Sequence, residues 1–150
     1  MIRSRLILLV EDNPDDADLT LRAFEESKTF SEIVVAPDGE QALDYLFATG
    51  SYKDRDPKVM PDVVLLDLNL PKVDGLGVLR RVRADSRTRR LPVVVLTSSN
   101  EERDIIRSYD LGANSFVQKP VDFAQFLNAA RQLGLYWLGL NMAPPATGRI

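Results

Sequence analysis

The sequence contains no cysteine and no histidine. Without cysteine there are no disulfides, no thiol nucleophiles and no thiolate metal sites. Without histidine there is no Ser-His triad, no imidazole zinc site and no imidazole general base. Any chemistry of a phosphorylated histidine would need a histidine on another molecule. Neither sign of charge is in large excess: 19 Lys and Arg against 22 Asp and Glu give a net charge of −3, so a general nucleic-acid surface and direct DNA binding are not expected. No apolar run reaches the roughly 18 residues that a membrane-spanning helix needs. "MIRSRLILLVEDN" sets basic residues before an apolar run, as a signal peptide does. That run is short, however, and stops in acids without a small-residue cleavage site. It is read as a first strand, and the protein is expected in the cytoplasm without membrane contact. Internal repeats and low-complexity segments are lacking too.

What is present suits one soluble domain with one core: 150 residues, 45% hydrophobic and 27% charged. Apolar runs of strand length recur at Arg5–Val10, Glu32–Ala36, Asp62–Leu68, Pro92–Thr97 and Asn114–Lys119. The segments between them carry helical spacing. Leu19, Ala23 and Phe24 fit one helix face; Ala42, Leu43, Leu46 and Phe47 a second; Leu76, Leu79 and Val82 a third. Ile105, Ile106 and Tyr109 fit a fourth, and Phe123, Phe126, Leu127 and Ala130 a fifth. The order is βα repeated five times. Consecutive apolar positions in the strands point to a sheet covered on both faces, hence an open parallel α/β sheet. Such sheets bind ligands outside the carboxyl ends of their strands.

The strand ends hold a coherent set of groups. The first strand ends in Glu11-Asp12, the third in Asp67, the fourth in Thr97-Ser98 and the fifth in Lys119-Pro120. Carboxylates gathered in one pocket repel one another and raise their own pKa values. A hard divalent cation relieves this, and oxygen-only ligands suit Mg²⁺. An aspartate beside such an ion can attack phosphorus and form an acyl phosphate. Lys119 and Thr97 offer the charge and the hydroxyl that would steady the transferring group.

These residues, with "LNLPKVDG" after Asp67 and "LGAN" at Leu111–Asn114, resemble the receiver domain of two-component response regulators. The resemblance runs from about Arg5 to the end of the fifth helix. It implies a flavodoxin-like (βα)5 fold with strand order 2-1-3-4-5. It implies Asp67 as the phosphoacceptor for a histidine kinase, and Mg²⁺ held by Asp12, Asp67 and the backbone carbonyl of Asn69, with Glu11 acting mostly through water. Thr97 and Lys119 would contact the phosphoryl group, Lys119-Pro120 would be a cis peptide, and Phe116 would be the switch aromatic that works with Thr97. Phe in place of the more familiar Tyr leaves no hydroxyl at that switch. "EDNPDDADLTLRAF", "GEQALDYLF", "SYDLGANSFVQKPVDF" and "YWLGLN" further resemble single-domain receivers that partner bacterial phytochrome-type histidine kinases.

Other assignments compete for the same residues. Asn13-Pro14-Asp15 can start a helix, so Glu11-Asp12 could be a turn before a cap. Thr97 could cap the fourth helix, although Ser98, Ser99 and Asn100 can do so too. Phe116 could be plain core packing. Gly75 and Gly77 do not have the spacing of a dinucleotide loop. A haloacid-dehalogenase-like phosphatase also uses a strand-end aspartate, but needs an acid two residues on, where Asn69 stands. A phosphorylation-independent adaptor would have little use for three clustered acids. The chain is therefore expected to catalyse only its own phosphorylation and dephosphorylation.

Two segments stand outside the repeat. Thr49–Pro61 is a long polar connection that loop-closure entropy tolerates cheaply. Residues 1–135 are expected to be the receiver, and 136–150 to extend the last helix into an arm after Pro144-Pro145, with no output domain following. Tyr136, Trp137, Leu138, Leu140 and Met142 put much apolar surface there. Since one helix face covers only part of such a cluster, a homodimer through the last helix and the arm is expected.

Overall fold

The computed structural model describes residues 5–27 and 32–144. Five strands alternate with five helices: β1 (Leu6–Val10), α1 (Pro14–Ser27), β2 (Glu32–Ala36), α2 (Gly39–Phe47), β3 (Val63–Leu66), α3 (Gly75–Ala84), β4 (Val93–Thr97), α4 (Glu102–Asp110), β5 (Ser115–Gln118) and α5 (Phe123–Gly134). The strands form one parallel sheet in the order β2-β1-β3-β4-β5. Chain order reverses between β1 and β3, which places a crevice at their carboxyl ends.

Alternation along the buried strands sends side chains to two cores. Leu8, Val10, Val64, Leu66 and Val95 pack with Leu43, Leu46, Leu79 and Val82 of α2 and α3. Ile7, Leu9, Val63, Leu65 and Val94 pack on the opposite face with Phe24 of α1 and Leu138 beyond α5. Both faces are thus covered, which is why the strands read as unbroken apolar runs. Three helices start on aspartate caps: Asp38, Asp74 and Asp122 accept from the backbone N–H of Gln41, Gly77 and Gln125 at 2.7, 2.8 and 3.0 Å.

The helical spacings locate the helices correctly but misjudge three burials. Ile106 and Tyr109 of α4 are exposed, and the one buried residue of that helix is Ser108. β5 is an edge strand, so a helix lying over it has sheet beneath only part of its apolar face. Phe123, the first residue of α5, is also exposed.

The Thr49–Pro61 connection is organised by Arg55. Its guanidinium lies 4.2 Å from the Tyr45 ring centroid. Nε donates to the Tyr45 carbonyl at 2.7 Å, and the Nη groups donate to the carbonyls of Leu46, Asp56 and Val59. Tyr52, in a short 3₁₀ turn (Gly50–Tyr52), adds an edge-on ring contact with Tyr45 at 5.2 Å.

After α5 the chain continues as a π-helical segment, Leu135–Leu140. It divides the apolar tail in two. Leu138 is only 2% exposed and Trp137 packs beside it, whereas Leu135, Tyr136, Leu140 and Met142 face solvent. The arm expected after Pro144 lies outside the described residues. Among the described residues no helix is long and apolar enough to cross a membrane.

Candidate functional site

Backbone pairing brings the strand ends together. The N–H of Glu11 donates to Ala36 O at 3.0 Å, and that of Asp67 to Val10 O at 3.1 Å. The N–H of Lys119 donates to Thr97 O at 2.6 Å. Each residue is therefore fixed one position past its strand. Asn13 closes the β1–α1 turn: its Oδ1 accepts from the N–H of Asp15 and Asp16 at 2.9 and 3.1 Å, with Pro14 as the first helical residue. Asn13-Pro14 thus starts the helix, and this leaves Glu11 and Asp12 free to serve the site as well. Gly75 acts through proximity. A Cβ there would stand 2.3 Å from Asp67 O and 2.6 Å from Leu68 Cα, so only glycine lets α3 start against the turn that follows Asp67.

Side chains from four segments meet at the Lys119 ammonium. Its Nζ lies 2.6 Å from Glu11 Oε1, 2.8 Å from Asp16 Oδ2 and 3.0 Å from Asp67 Oδ2. Glu11, Asp67 and Lys119 are buried, and Asp12 is exposed at the rim. Carboxylate oxygens of Glu11, Asp12 and Asp67 lie within 4.8 Å of one another. The other Asp67 oxygen, Oδ1, accepts from the N–H of Asn69 at 3.2 Å, and Glu11 Oε2 accepts from the N–H of Asn13 at 3.2 Å. Among the described residues no buried side-chain nitrogen or oxygen lacks a partner.

Thr97 is fully buried at the end of β4, between the strands that carry Asp67 and Lys119. Its Oγ1 accepts from the N–H of Ser99 at 3.4 Å. The entry to α4 is tied instead by Ser99, whose Oγ donates to Asp104 Oδ2 at 2.6 Å and accepts from the N–H of Glu101. Phe116 pairs with Val95 in the ladder and Thr97 with Gln118, so Thr97 and Phe116 project from the same sheet face. Phe116 is half-buried against the α2–α3 core. A polar cleft of about 480 Å³ opens between Asn69 and the loop Ser98–Glu101. One expectation is corrected: no peptide bond among the described residues is cis, so Lys119-Pro120 is trans, the form an X–Pro bond favours by about 0.5–1 kcal/mol.

The residue that strand-end reasoning missed is Asp16. It lies in the first turn of α1, four residues beyond Asp12, where an acid is ordinary on helix-dipole grounds. Nothing in the spacing distinguishes it from Asp15.

Charge does not balance in this pocket. Burial is the main reason that the Glu11 carboxyl is pushed up to about 7, with Asp67 adding to the rise and Lys119 opposing it. Burial alone would lower the Lys119 pKa, but its bonds to Asp16 and Glu11 and the charge of Asp67 prevail and raise it. The ammonium stays charged and is outnumbered. A set of crowded oxygen donors with surplus negative charge, and no nitrogen or sulfur ligand, fits a hard divalent cation.

A parallel sheet with this acid–lysine crevice defines a receiver. The family model of the response regulator receiver domain matches residues 7–131, and the chain belongs to that family. Among curated relatives, the probable methanogenesis regulatory protein FilR2 of Methanothrix harundinacea is 42% identical over 139 residues, covering 93% of this chain and 87% of its own. The response regulator Rcp1 of Synechocystis is 35% identical, with 95% of each chain covered. Among solved structures, the phosphorylated cyanobacterial phytochrome response regulator RcpA superposes with a TM-score of 0.89 at 38% identity, covering 95% of this chain and all of the other. The bacteriophytochrome response regulator AtBRR is 53% identical with a TM-score of 0.74, covering 96% and 99%. The Mn²⁺-bound form of Rcp1 reaches 0.87 at 34% identity, covering 94% and 99%. Receiver domains are phosphorylated by partner histidine kinases and bind a divalent metal at an acidic pocket.

Proposed function

We propose that this receiver accepts a phosphoryl group on Asp67 from a histidine kinase, with Mg²⁺ as the working cation. The observation that carries the reading is the Lys119 ammonium, 3.0 Å from Asp67 Oδ2, in a pocket where three carboxylates lie within 4.8 Å. An Asp67 oxygen attacks phosphorus, the bond from phosphorus to the donor's imidazole nitrogen breaks, and that nitrogen keeps the electron pair. Lys119 stands beside the attacked position and offsets charge on the transferred oxygens. The Thr97 hydroxyl, at the end of the strand between, donates to one of them. Asp12, Asp67 and the Asn69 carbonyl would hold Mg²⁺, with Glu11 acting through water, and the bound ion would supply screening of the donor phosphate's charge. The chain turns over no external metabolite.

Signalling follows from the Thr97–Phe116 face: movement of the Thr97 hydroxyl toward a phosphoryl oxygen leaves room for Phe116 to pack further in. Residues 1–135 do this work. The extension 136–150 with α5 supplies a homodimer contact, supported by the exposure of Leu135, Tyr136, Leu140 and Met142. Likeness to RcpA and AtBRR, named as phytochrome response regulators, supports a phytochrome-type kinase as the donor, and a cytoplasmic protein that acts by protein contact without binding DNA itself. The test is intact-mass measurement after exposure to a small phosphodonor such as acetyl phosphate. One phosphoryl adduct is expected, lost in Asp67→Asn and lost on chelation with EDTA. An undiminished adduct in Asp67→Asn refutes the assignment.

A further inference from the structure

The Lys119 ammonium has three N–H donors, and three carboxylates take them: Glu11, Asp16 and Asp67. Two of these acceptors belong to the cation site proposed above. An ammonium at 2.6 and 3.0 Å both neutralises those oxygens and competes for them. Asp16 differs. It is outside the group of acids whose oxygens cluster, it comes from α1, and its side chain is 28% exposed. Its backbone is pinned on both sides, because its N–H donates to Asn13 Oδ1 and its carbonyl accepts from Thr20 Oγ1 at 2.8 Å. The carboxylate is thereby held facing Lys119.

We propose that Asp16 is a positioning residue for Lys119: a counter-charge that holds the ammonium on the α1 side and leaves Glu11 and Asp67 to the divalent cation. The inference rests on the reading of Glu11, Asp12 and Asp67 as the cation site. Without Asp16, one donor of Lys119 has no carboxylate, and the full ammonium charge bears on Glu11 and Asp67. Charge-assisted bonds to those two acids then strengthen, and a cation must displace a better-paired lysine. The competing account is that Asp16 only favours the start of α1 through the helix dipole. Asp15 separates the two accounts, since it sits in the same turn with the same charge and shows no contact with Lys119.

The experiment is Mn²⁺ titration of the full chain, read by the electron paramagnetic resonance signal of the free ion. Asp16→Asn is expected to raise Kd by about fivefold or more, from loss of a charge next to the ammonium. Asp15→Asn should change it by less than about twofold, as for an exposed, screened acid. Asp16→Glu, which keeps the charge, should hold Kd near the wild-type value. In a Lys119→Met background the Asp16→Asn effect should shrink to the Asp15→Asn level. Equal shifts for Asp15→Asn and Asp16→Asn, or an Asp16→Asn effect that survives Lys119→Met in full, overturn the inference. Asp67→Asn serves as the separate check on the site: loss of Mn²⁺ there with an unmoved Asp16→Asn sinks this inference alone, whereas wild-type binding by Asp67→Asn sinks the site reading and this inference with it.

Discussion

Lys119 and Asp67 meet across the end of a strand that belongs to neither. Asp67 follows β3, Lys119 follows β5, and β4 runs between them, yet Nζ stands 3.0 Å from Oδ2. The last residue of β4 is the buried Thr97, at the strand end between them. A lysine with its ammonium buried is stable only if its charge is matched. Here it is over-matched, by Glu11, Asp16 and Asp67 together.

Removing the ammonium should therefore expose the imbalance. Lys119→Met leaves Glu11 and Asp67 buried and unpaired, and loss of one partner in such a set costs on the order of 3 kcal/mol. Thermal unfolding in EDTA should show a clear fall in Tm against wild type, and saturating Mg²⁺ should restore most of it. A variant as stable as wild type in EDTA would contradict the charge account.

Stability of the metal-free protein should fall as pH rises from about 4.5 to about 7. Glu11 carries the reason: its folded pKa is raised from 4.5 to about 7. In that window the folded state binds more protons than the unfolded state, so each step up in pH favours unfolding. Over the whole window the loss is on the order of 3 kcal/mol. Glu11→Gln should flatten the slope in denaturant titrations across this range. A slope that is unchanged in the variant would locate the proton elsewhere.

Gly75→Ala should damage the site through the backbone. Its Cβ would fall 2.3 Å from Asp67 O, so either α3 or the Asp67 turn must move. Strain of this kind costs about 1–3 kcal/mol or more. Unfolding should show that loss, and Mn²⁺ affinity should drop with it. Gly139→Ala, at a position with nothing within 4 Å, should leave Mn²⁺ affinity unchanged.

The tail serves the core as well as the surface. Leu138 is buried in the α1–α5 core, so cutting the chain at Leu135 would remove core packing as well as any dimer contact. Leu140 is the cleaner probe, being 76% exposed. The wild-type chain should sediment as a dimer at micromolar concentration, and Leu140→Lys should sediment as a monomer with a native circular dichroism spectrum. Identical sedimentation of the two would remove Leu140 from the contact.

Strand positions and the acid–lysine set were readable because they rest on local chemistry. Unbroken apolar runs ending in Glu11, Asp67, Thr97 and Lys119 require a covered parallel sheet, and the sheet order then brings Asp67 and Lys119 to one crevice. Other features depend on what lies opposite a residue, which spacing does not encode. Ile106, Tyr109 and Phe123 share their helices' apolar spacing but face solvent. Leu138 and Leu140 are two residues apart in one apolar cluster, and the π-helical turn sends one inward and the other outward. Arg55 looked like any charge in a polar loop, yet its guanidinium gathers four carbonyls. Asp16 has the spacing of a helix-start acid, and only the fold brings it within 2.8 Å of Lys119.

The most direct test of the central claim is to locate the phosphoryl group on the chain. Borohydride reduces an aspartyl phosphate to homoserine, which tandem mass spectrometry reads at single-residue resolution. After phosphorylation in Mg²⁺, the account predicts homoserine at position 67 and at no other aspartate, Asp12 and Asp16 included. Homoserine at one of those neighbours, or a phosphorylated chain with Asp67 intact, would contradict it.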